Sequence, residues 1–209
     1  MAVPTRNELR KAQTRDRIIA AAHRLFQQEG YAATSMEDIA SAADVAIRTI
    51  YLHFDSKAAV LLAYHDAWVS AFVRLVAARD ADETLDDAVT RALETLVAEG
   101  HDNDRRIEDV PVLPPYLEFL GDGSPEISGH MMQRWVAALD ELTVAFRATA
   151  GVAADSPVPR MEAVAVFSAW LVTMLDFRER WQSGQPGASS HDLGRRAITA
   201  YVRGITAES

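Results

Sequence analysis

The sequence of 209 residues contains no cysteine, which excludes disulfides, zinc sites built on thiolates and thiol catalysis. It also lacks an excess of positive charge. The formal net charge is -9, which argues against an indiscriminate nucleic-acid binder, because such proteins carry a strong positive field. Long apolar runs are missing as well. The longest, residues 163–175, is shorter than the ~20 residues of a membrane span, so it predicts a buried helix or an interface and no membrane partner.

The N-terminal residues are polar and basic and include no apolar stretch, so they predict no secretory signal and a cytoplasmic protein. Charge is unevenly distributed along the chain. Residues 1–24 hold six basic and two acidic side chains, whereas residues 58–209 hold 13 basic and 23 acidic ones. This asymmetry predicts a basic N-terminal region attached to an acidic body.

Apolar residues recur at helical spacing, and strand-like alternation is nearly absent, so the sequence predicts an all-α fold of about nine helices. The first helix is expected to begin after Thr14 and to end at Gly30, and a long fourth helix is expected to begin after Ser56. Turn signals separate the later helices. They are predicted at about residues 84–99, 105–120, 125–149, 157–181 and 190–206.

Two short helices predicted between Thr34 and His53 are typical of a helix-turn-helix, whose second helix can enter the major groove of DNA. The sequence Thr34-Ser-Met-Glu37 matches a capping box, and residues 43–45 can form the turn. We expect the motif to bury Met36, Ile39, Ala40, Val45, Ile50 and Phe54, and to leave Ile47, Arg48, Thr49 and Leu52 facing outward.

The outward residues are suited to reading DNA. Arg48 can recognise guanine, and the apolar Ile47 and Leu52 can contact thymine methyl groups. The polar residues around the motif are expected to contact phosphates, which fixes register without reading sequence. The predicted DNA-binding residues are Thr34, Ser35, Ile47, Arg48, Thr49, Tyr51, Leu52, His53 and Lys57.

Residues 30–61, GYAATSMEDIASAADVAIRTIYLHFDSKAAVL, resemble the DNA-binding segment of the tetracycline-repressor (TetR) family. The resemblance covers about residues 12–62 and rests on these hallmarks: Gly30-Tyr31, Thr34-Ser35, Ile39-Ala40, Ala43, Val45 and the run Ile50-Tyr51-x-His53-Phe54-x-Ser56-Lys57. Three positions depart from the family pattern. Asp44 replaces the usual glycine of the turn, Ala46 replaces a capping serine or threonine, and Arg48 stands where glycine is frequent.

The resemblance implies a flexible basic arm (1–11), a three-helix helix-turn-helix domain (12–57) and a helical ligand-binding and dimerisation domain (58–209). It also implies a homodimer formed through the last two helices. This dimer would act as a repressor that binds an inverted-repeat operator in double-stranded DNA. A largely apolar small-molecule effector would release the repressor from the operator. Basic residues between Arg6 and Arg17 are either a solvated tail or contacts to the minor groove or backbone.

The later domain carries aromatic and methionine residues that are either ordinary core or the lining of a ligand cavity. The residues predicted to bind the ligand are His65, Trp68, Phe72, His101, Tyr116, Met132, Trp135, Trp170 and Met174. Two other functions were considered. An enzyme is disfavoured, because the sequence shows no nucleophile with a partnered base, no paired metal-ligand motif and no glycine-rich phosphate loop. A sensor of the same fold that has lost DNA binding remains the alternative.

Overall fold

The structure is a computed structural model, in which residues 5–99, 124–149, 151, 153–185, 196–197 and 199–200 are described. All regular secondary structure in these ranges is helical, which confirms the all-α fold class. The eight helices delimited there are α1 (Arg6–Glu29), α2 (Met36–Ala42), α3 (Ile47–Tyr51), α4 (Lys57–Leu61), α5 (Ala63–Ala77), α6 (Leu85–Ala98), α7 (Pro125–Thr149) and α8 (Val158–Ser183).

The chain divides into two compact units, Met1–Tyr64 and His65–Ser209. The first unit is held together by apolar side chains of α1, α2 and α3, among them the fully buried Ile18, Ile39 and Ile50. The second unit has a larger core that includes Leu142 and Phe146 of α7. The division lies after Tyr64, whereas the family resemblance placed the domain boundary after residue 57.

Helix α1 begins two turns earlier than predicted, so residues 6–11 are helical and not a flexible arm. The cause is a capping box that sequence reasoning overlooked. The Glu8 amide donates to the Thr5 hydroxyl, and the Glu8 carboxylate accepts from the Thr5 amide at 2.7 Å. These paired bonds satisfy donors at the helix start, and they allow residues 6–13 to stay helical although they are exposed.

Helix α2 is capped by Ser35, one residue later than predicted. The Ser35 hydroxyl accepts from the Asp38 amide at 3.1 Å, and the Asp38 carboxylate accepts from the Ser35 amide at 2.9 Å. Thr34 does not cap α2; its hydroxyl instead donates to the Gly30 carbonyl at 2.9 Å, at the end of α1. A capping box does form at the start of α2, as predicted, but its residues are Ser35 and Asp38 instead of Thr34 and Glu37.

The predicted long fourth helix is broken. Ser56 caps α4, as expected, by accepting from the Ala59 amide at 3.1 Å. The helix then stops at Leu61, Leu62 adopts a φ of -89° and a ψ of 7°, and α5 begins at Ala63. Apolar spacing continues through this break, so the hydrophobic pattern alone does not reveal it.

The remaining helices agree with the predicted segments. Helix α7 has the predicted bounds, and α6 and α8 differ from theirs by one or two residues at each end. Residues 196–197 and 199–200 are helical within the predicted last helix, while the predicted helix at 105–120 lies outside the described residues. Helix α8 is long and apolar enough to cross a membrane. Core helices of soluble proteins often have the same length and composition, so this is weak evidence for a membrane span.

Candidate functional site

The turn between α2 and α3 is tight. Asp44 has a φ of 52°, in the left-handed region, and is the one described residue other than glycine with a positive φ. The Val45 amide then donates back to the Ala40 carbonyl at 3.0 Å, which closes the turn. Aspartate enters this region more readily than most residues, so the turn forms without the glycine that the family pattern favours.

Helix α3 rests on the core of the first unit through Ile50 and the following Phe54, both buried as predicted. Ile47 also packs against that core and is half-buried, so it faces outward less than the sequence predicted. The helix begins at Ile47, and the preceding Ala46 provides no side-chain cap. Packing, not capping, therefore holds this short helix in place.

The outer face of α3 and the residue after it are open to solvent. Arg48 is exposed, the Tyr51 side chain is 53% exposed and Leu52 is 70% exposed. Thr49 and His53 are half-buried at the edges of this face. Large apolar and aromatic residues at such exposure gain nothing from folding, so their presence beside an arginine marks a binding surface.

Basic residues of α1 lie close to the end of this face. Burial lowers the pKa of His53, and the positive charges of Lys11 and Arg15 lower the pKa further, so His53 is neutral at pH 7. The Arg15 guanidinium lies 4.9 Å from the centre of the Phe54 ring. The structure thus brings part of the predicted basic segment to the outer side of the helix-turn-helix.

Two predicted phosphate-binding residues are engaged inside the protein. Thr34 is only 1% exposed, and its hydroxyl is bonded to Gly30 as described above. The Lys57 ammonium donates to the carbonyls of Tyr31 and Thr34 at 2.7 and 2.8 Å and lies 4.2 Å from the centre of the Tyr31 ring. Both residues fix the entry to α2, and the burial of Thr34 contradicts its predicted contact with a phosphate.

In the second unit, aromatic residues of three helices surround Trp170 of α8. Trp68 lies nearly parallel to Phe72 and to Trp170, with ring centres 5.1 and 5.7 Å apart. Trp135 and Phe167 meet Trp170 edge-on, at 5.1 and 6.2 Å. We call these five residues the tryptophan cluster. His65, a buried residue, lies 5.5 Å from the Trp170 ring.

Two further predicted ligand residues lie outside the tryptophan cluster. Met132 is 57% exposed on α7, so it does not share the buried environment of the cluster as predicted. Met174 is buried one turn after Trp170 on α8. His101 and Tyr116 fall outside the described residues.

Sequence reasoning missed a carboxylate between two histidines. Asp66 of α5 accepts from His130 of α7 at 2.7 Å and lies 3.3 Å from the Nδ1 atom of His65. Burial by itself raises the pKa of Asp66, but the hydrogen bonds from His130 and His65 outweigh it and bring the pKa to about 2. Asp66 and His130 are 64 positions apart, so no local pattern could have joined them.

A helix-turn-helix braced by a preceding helix, followed by a larger helical unit, defines a class of DNA-binding regulators. The family described as bacterial regulatory proteins, tetR family, matches residues 18–64. The transcriptional regulator TcmR of Streptomyces glaucescens is 31% identical over 158 residues, which cover 75% of this chain and 69% of TcmR. The chain belongs to the TetR family and is a DNA-binding transcriptional regulator.

Two solved structures share the fold. FadR of Thermus thermophilus, a TetR-family repressor in complex with lauroyl-CoA, is 21% identical, with a TM-score of 0.55, and the match covers 90% of this chain and 93% of FadR. A SmeT–triclosan complex is 18% identical, with a TM-score of 0.57, and the match covers 92% of this chain and 91% of SmeT. At these identities the likeness concerns the fold alone.

Proposed function

We propose that the protein is a cytoplasmic homodimeric repressor that holds an inverted-repeat operator until a small molecule binds the second unit and releases the DNA. The observation that carries the DNA-binding part is the outer face of α3, where Arg48, Tyr51 and Leu52 are exposed beside basic residues of α1. In this proposal, α3 enters the major groove and α1 contributes positive charge near the phosphates.

Individual contacts follow from exposure and chemistry. Arg48 reads guanine and Leu52 contacts a thymine methyl group, while Thr49 and Ile47 border this contact. Tyr51 and His53 donate to phosphates, which sets the register of the protein on the duplex. Ser35, which the sequence also predicted to contact DNA, donates both its amide and its hydroxyl hydrogen to Asp38. In this proposal Thr34 and Lys57 hold the entry to α2 in position, because both donate to backbone carbonyls of the first unit.

The dimer proposal rests on an exposed apolar stripe of α8. At 100° per residue, its members fall within about 120° of the helix circumference, so they share one face. Such a face is typical of a surface that is covered by a partner. A second copy related by a twofold axis would cover it and would place two α3 helices one DNA turn apart, roughly 34 Å. The exposed residues are Val158, Met161, Val164, Val172 and Leu175.

The effector proposal rests on the tryptophan cluster, which offers apolar walls with few polar groups. Two proteins of this fold bind small molecules, lauroyl-CoA and triclosan. The chain passes from the first unit to the second at Tyr64 and His65, just after the break at Leu62. A ligand that prefers one conformation of the second unit would act on the first unit through this connection.

The DNA-binding proposal is tested by selecting fragments of the source organism's genomic DNA with purified protein at moderate salt. We expect an enriched inverted repeat. Arg48→Ala should then weaken binding to that repeat by about tenfold or more. The matched control is Arg74→Ala, which removes the same charge from an exposed position of the second unit and should not change affinity. Selection of no sequence would contradict the proposal and favour the sensor without DNA binding.

The dimer proposal is tested by sedimentation. Val172→Glu should convert the dimer to monomers, because it places a charge in the middle of the α8 stripe. Val144→Glu introduces the same charge at an exposed position of α7 and should leave the dimer intact. A dimer that survives Val172→Glu would show that this face is not the interface.

A further inference from the structure

The tryptophan cluster has the geometry of a stacking platform. Trp68 is inclined by 6° to Phe72 and by 16° to Trp170, so three rings lie in nearly parallel planes. Trp68, Trp135 and Trp170 are each only partly buried. Aromatic rings prefer offset stacked or edge-on neighbours, so a flat ring gains more at such a site than an alkyl chain of equal area.

One buried polar atom of the cluster has no partner among the described residues. The indole Nε1 atom of Trp135 is buried, and no acceptor for its hydrogen lies within the described part of the chain. Buried indole N–H groups normally have an acceptor, and leaving one unpaired weakens the fold. The atom therefore indicates where an acceptor on a bound molecule would be recognised.

Several polar side chains on these helices are already hydrogen-bonded within the protein. The Asp66 carboxylate accepts from two histidines, and the Thr143 and Thr173 hydroxyls are bonded to their own helices. Charged side chains are paired in Arg79–Glu162 and Arg134–Glu141, whereas the buried Nε atom of Arg178 has no partner among the described residues. Within the cluster, the buried donor left for a ligand is the Trp135 indole.

From these observations we infer that the effector is a flat aromatic compound with a carbonyl or phenol oxygen. Its ring stacks in the tryptophan cluster and its oxygen accepts a hydrogen bond from Trp135 Nε1. This inference rests on the ligand-responsive part of the proposed function and adds the chemical class of the ligand.

The test compares two probes of the same ring skeleton. Fluorenone carries one carbonyl and fluorene carries none, and the dissociation constant of each is measured by equilibrium dialysis against the full-length protein. Both should bind, and fluorenone should gain from the bond to Trp135. Trp135→Phe keeps an aromatic ring but removes the donor. It should weaken fluorenone binding by about tenfold, the worth of one such bond, and leave fluorene binding unchanged.

Trp181→Phe is the matched control, because Trp181 is the one tryptophan outside the cluster, and it should change neither dissociation constant. Circular dichroism of each variant verifies its folding. Binding of neither probe to the wild-type protein would overturn the inference. Equal losses for both probes in Trp135→Phe would also overturn it, because the residue would then act only through packing.

The result can be separated from the test of the proposed function. Fluorenone binding that depends on Trp135 but does not weaken the DNA complex would support this site and contradict release by a ligand at the site. Specific DNA binding without any binding of fluorenone would leave the regulator intact and overturn the ligand class.

Discussion

The two units use their polar side chains differently. In the first unit they bond mainly to nearby backbone: Ser35 caps α2, Thr34 binds the end of α1, and Lys57 binds two carbonyls at the entry to α2. In the second unit they often bond to one another across helices, as in Asp66–His130 and Arg79–Glu162.

This difference has a physical consequence. Bonds from side chains to backbone fix the course of the chain, and so they fix the position of α3 relative to its neighbours. Bonds between side chains of separate helices fix how the helices pack, and they can be exchanged without changing the course of the backbone. The first unit is therefore constrained to present one surface, whereas the packing of helices in the second can vary.

The largest expected effect tests whether the two units unfold separately. Ile39 is fully buried in the first unit, so Ile39→Ala should lower that unit's free energy of unfolding by about 3 kcal/mol. All four tryptophans lie in the second unit, so tryptophan emission reports on it alone, and far-UV circular dichroism reports on both. In urea, only the circular dichroism transition should gain an early component. A matching shift in emission would show that the units unfold together.

Substitution of Asp66 tests the side-chain bonds between helices of the second unit, such as Asp66–His130. Its pKa of about 2 lies below the ordinary value of 3.8, so its ionised form stabilises the folded state. This contribution, about 2 kcal/mol, is present above pH 3.8 and is lost as the pH falls through about 2. Asp66→Asn should therefore lower the urea midpoint of the emission transition at pH 6, and the difference from wild type should vanish near pH 2.

The control for this experiment is Asp140→Asn, because Asp140 forms an exposed ion pair with Arg160. Exposed pairs contribute little to stability, so the midpoint should hardly move. A constant difference between wild type and Asp66→Asn at every pH would contradict the role assigned to the Asp66 carboxylate.

Substitution of Lys57 tests the bonds from side chains to backbone in the first unit. Lys57→Met removes two charge-assisted hydrogen bonds and should lower the free energy of unfolding of the first unit by about 2 kcal/mol, measured by circular dichroism in urea. Lys11→Met, at an exposed position of α1, should leave stability unchanged. If Lys57→Met instead weakened DNA binding without loss of stability, Lys57 would be a direct phosphate contact.

The smallest expected effect on stability comes from adding a cap to α3. Ala46→Ser adds the side-chain cap that the helix lacks, so it should stabilise the first unit by about 1 kcal/mol. Ala42→Ser introduces the same side chain at the exposed end of α2, where no cap is needed, and should not stabilise. Thermal unfolding followed by circular dichroism measures both. No gain from Ala46→Ser would mean that packing alone sets the start of α3.

Much of the first unit could be predicted from the sequence, because its signals are local. The helix-turn-helix core around Ile39 and Ile50 followed from apolar spacing, and Ser56 was identified as a cap. The error at Thr34 shows the limit of such signals. Thr34 and Ser35 can both cap a helix, and the choice was made by a bond from Thr34 to Gly30 that depends on where α1 ends.

In the second unit the sequence predicted the helices and several aromatic residues of the cluster, but not how they meet. The same apolar spacing is compatible with core or cavity. It also continues unchanged through the break at Leu62, which lies at the end of the first unit. Met132 and Trp135 both fit the predicted pattern, and only packing separated the exposed residue from the one in the cluster.

By itself, then, the sequence determined the all-α class, the family and the residues on the outer face of α3, because these depend on spacing and on capping within a few residues. Tertiary structure decided that Lys57 supports α2, that Asp66 joins two histidines and that the Trp135 Nε1 atom is buried with no acceptor among the described residues. These features depend on groups that are distant along the chain, and their contact is set by the packing of whole helices.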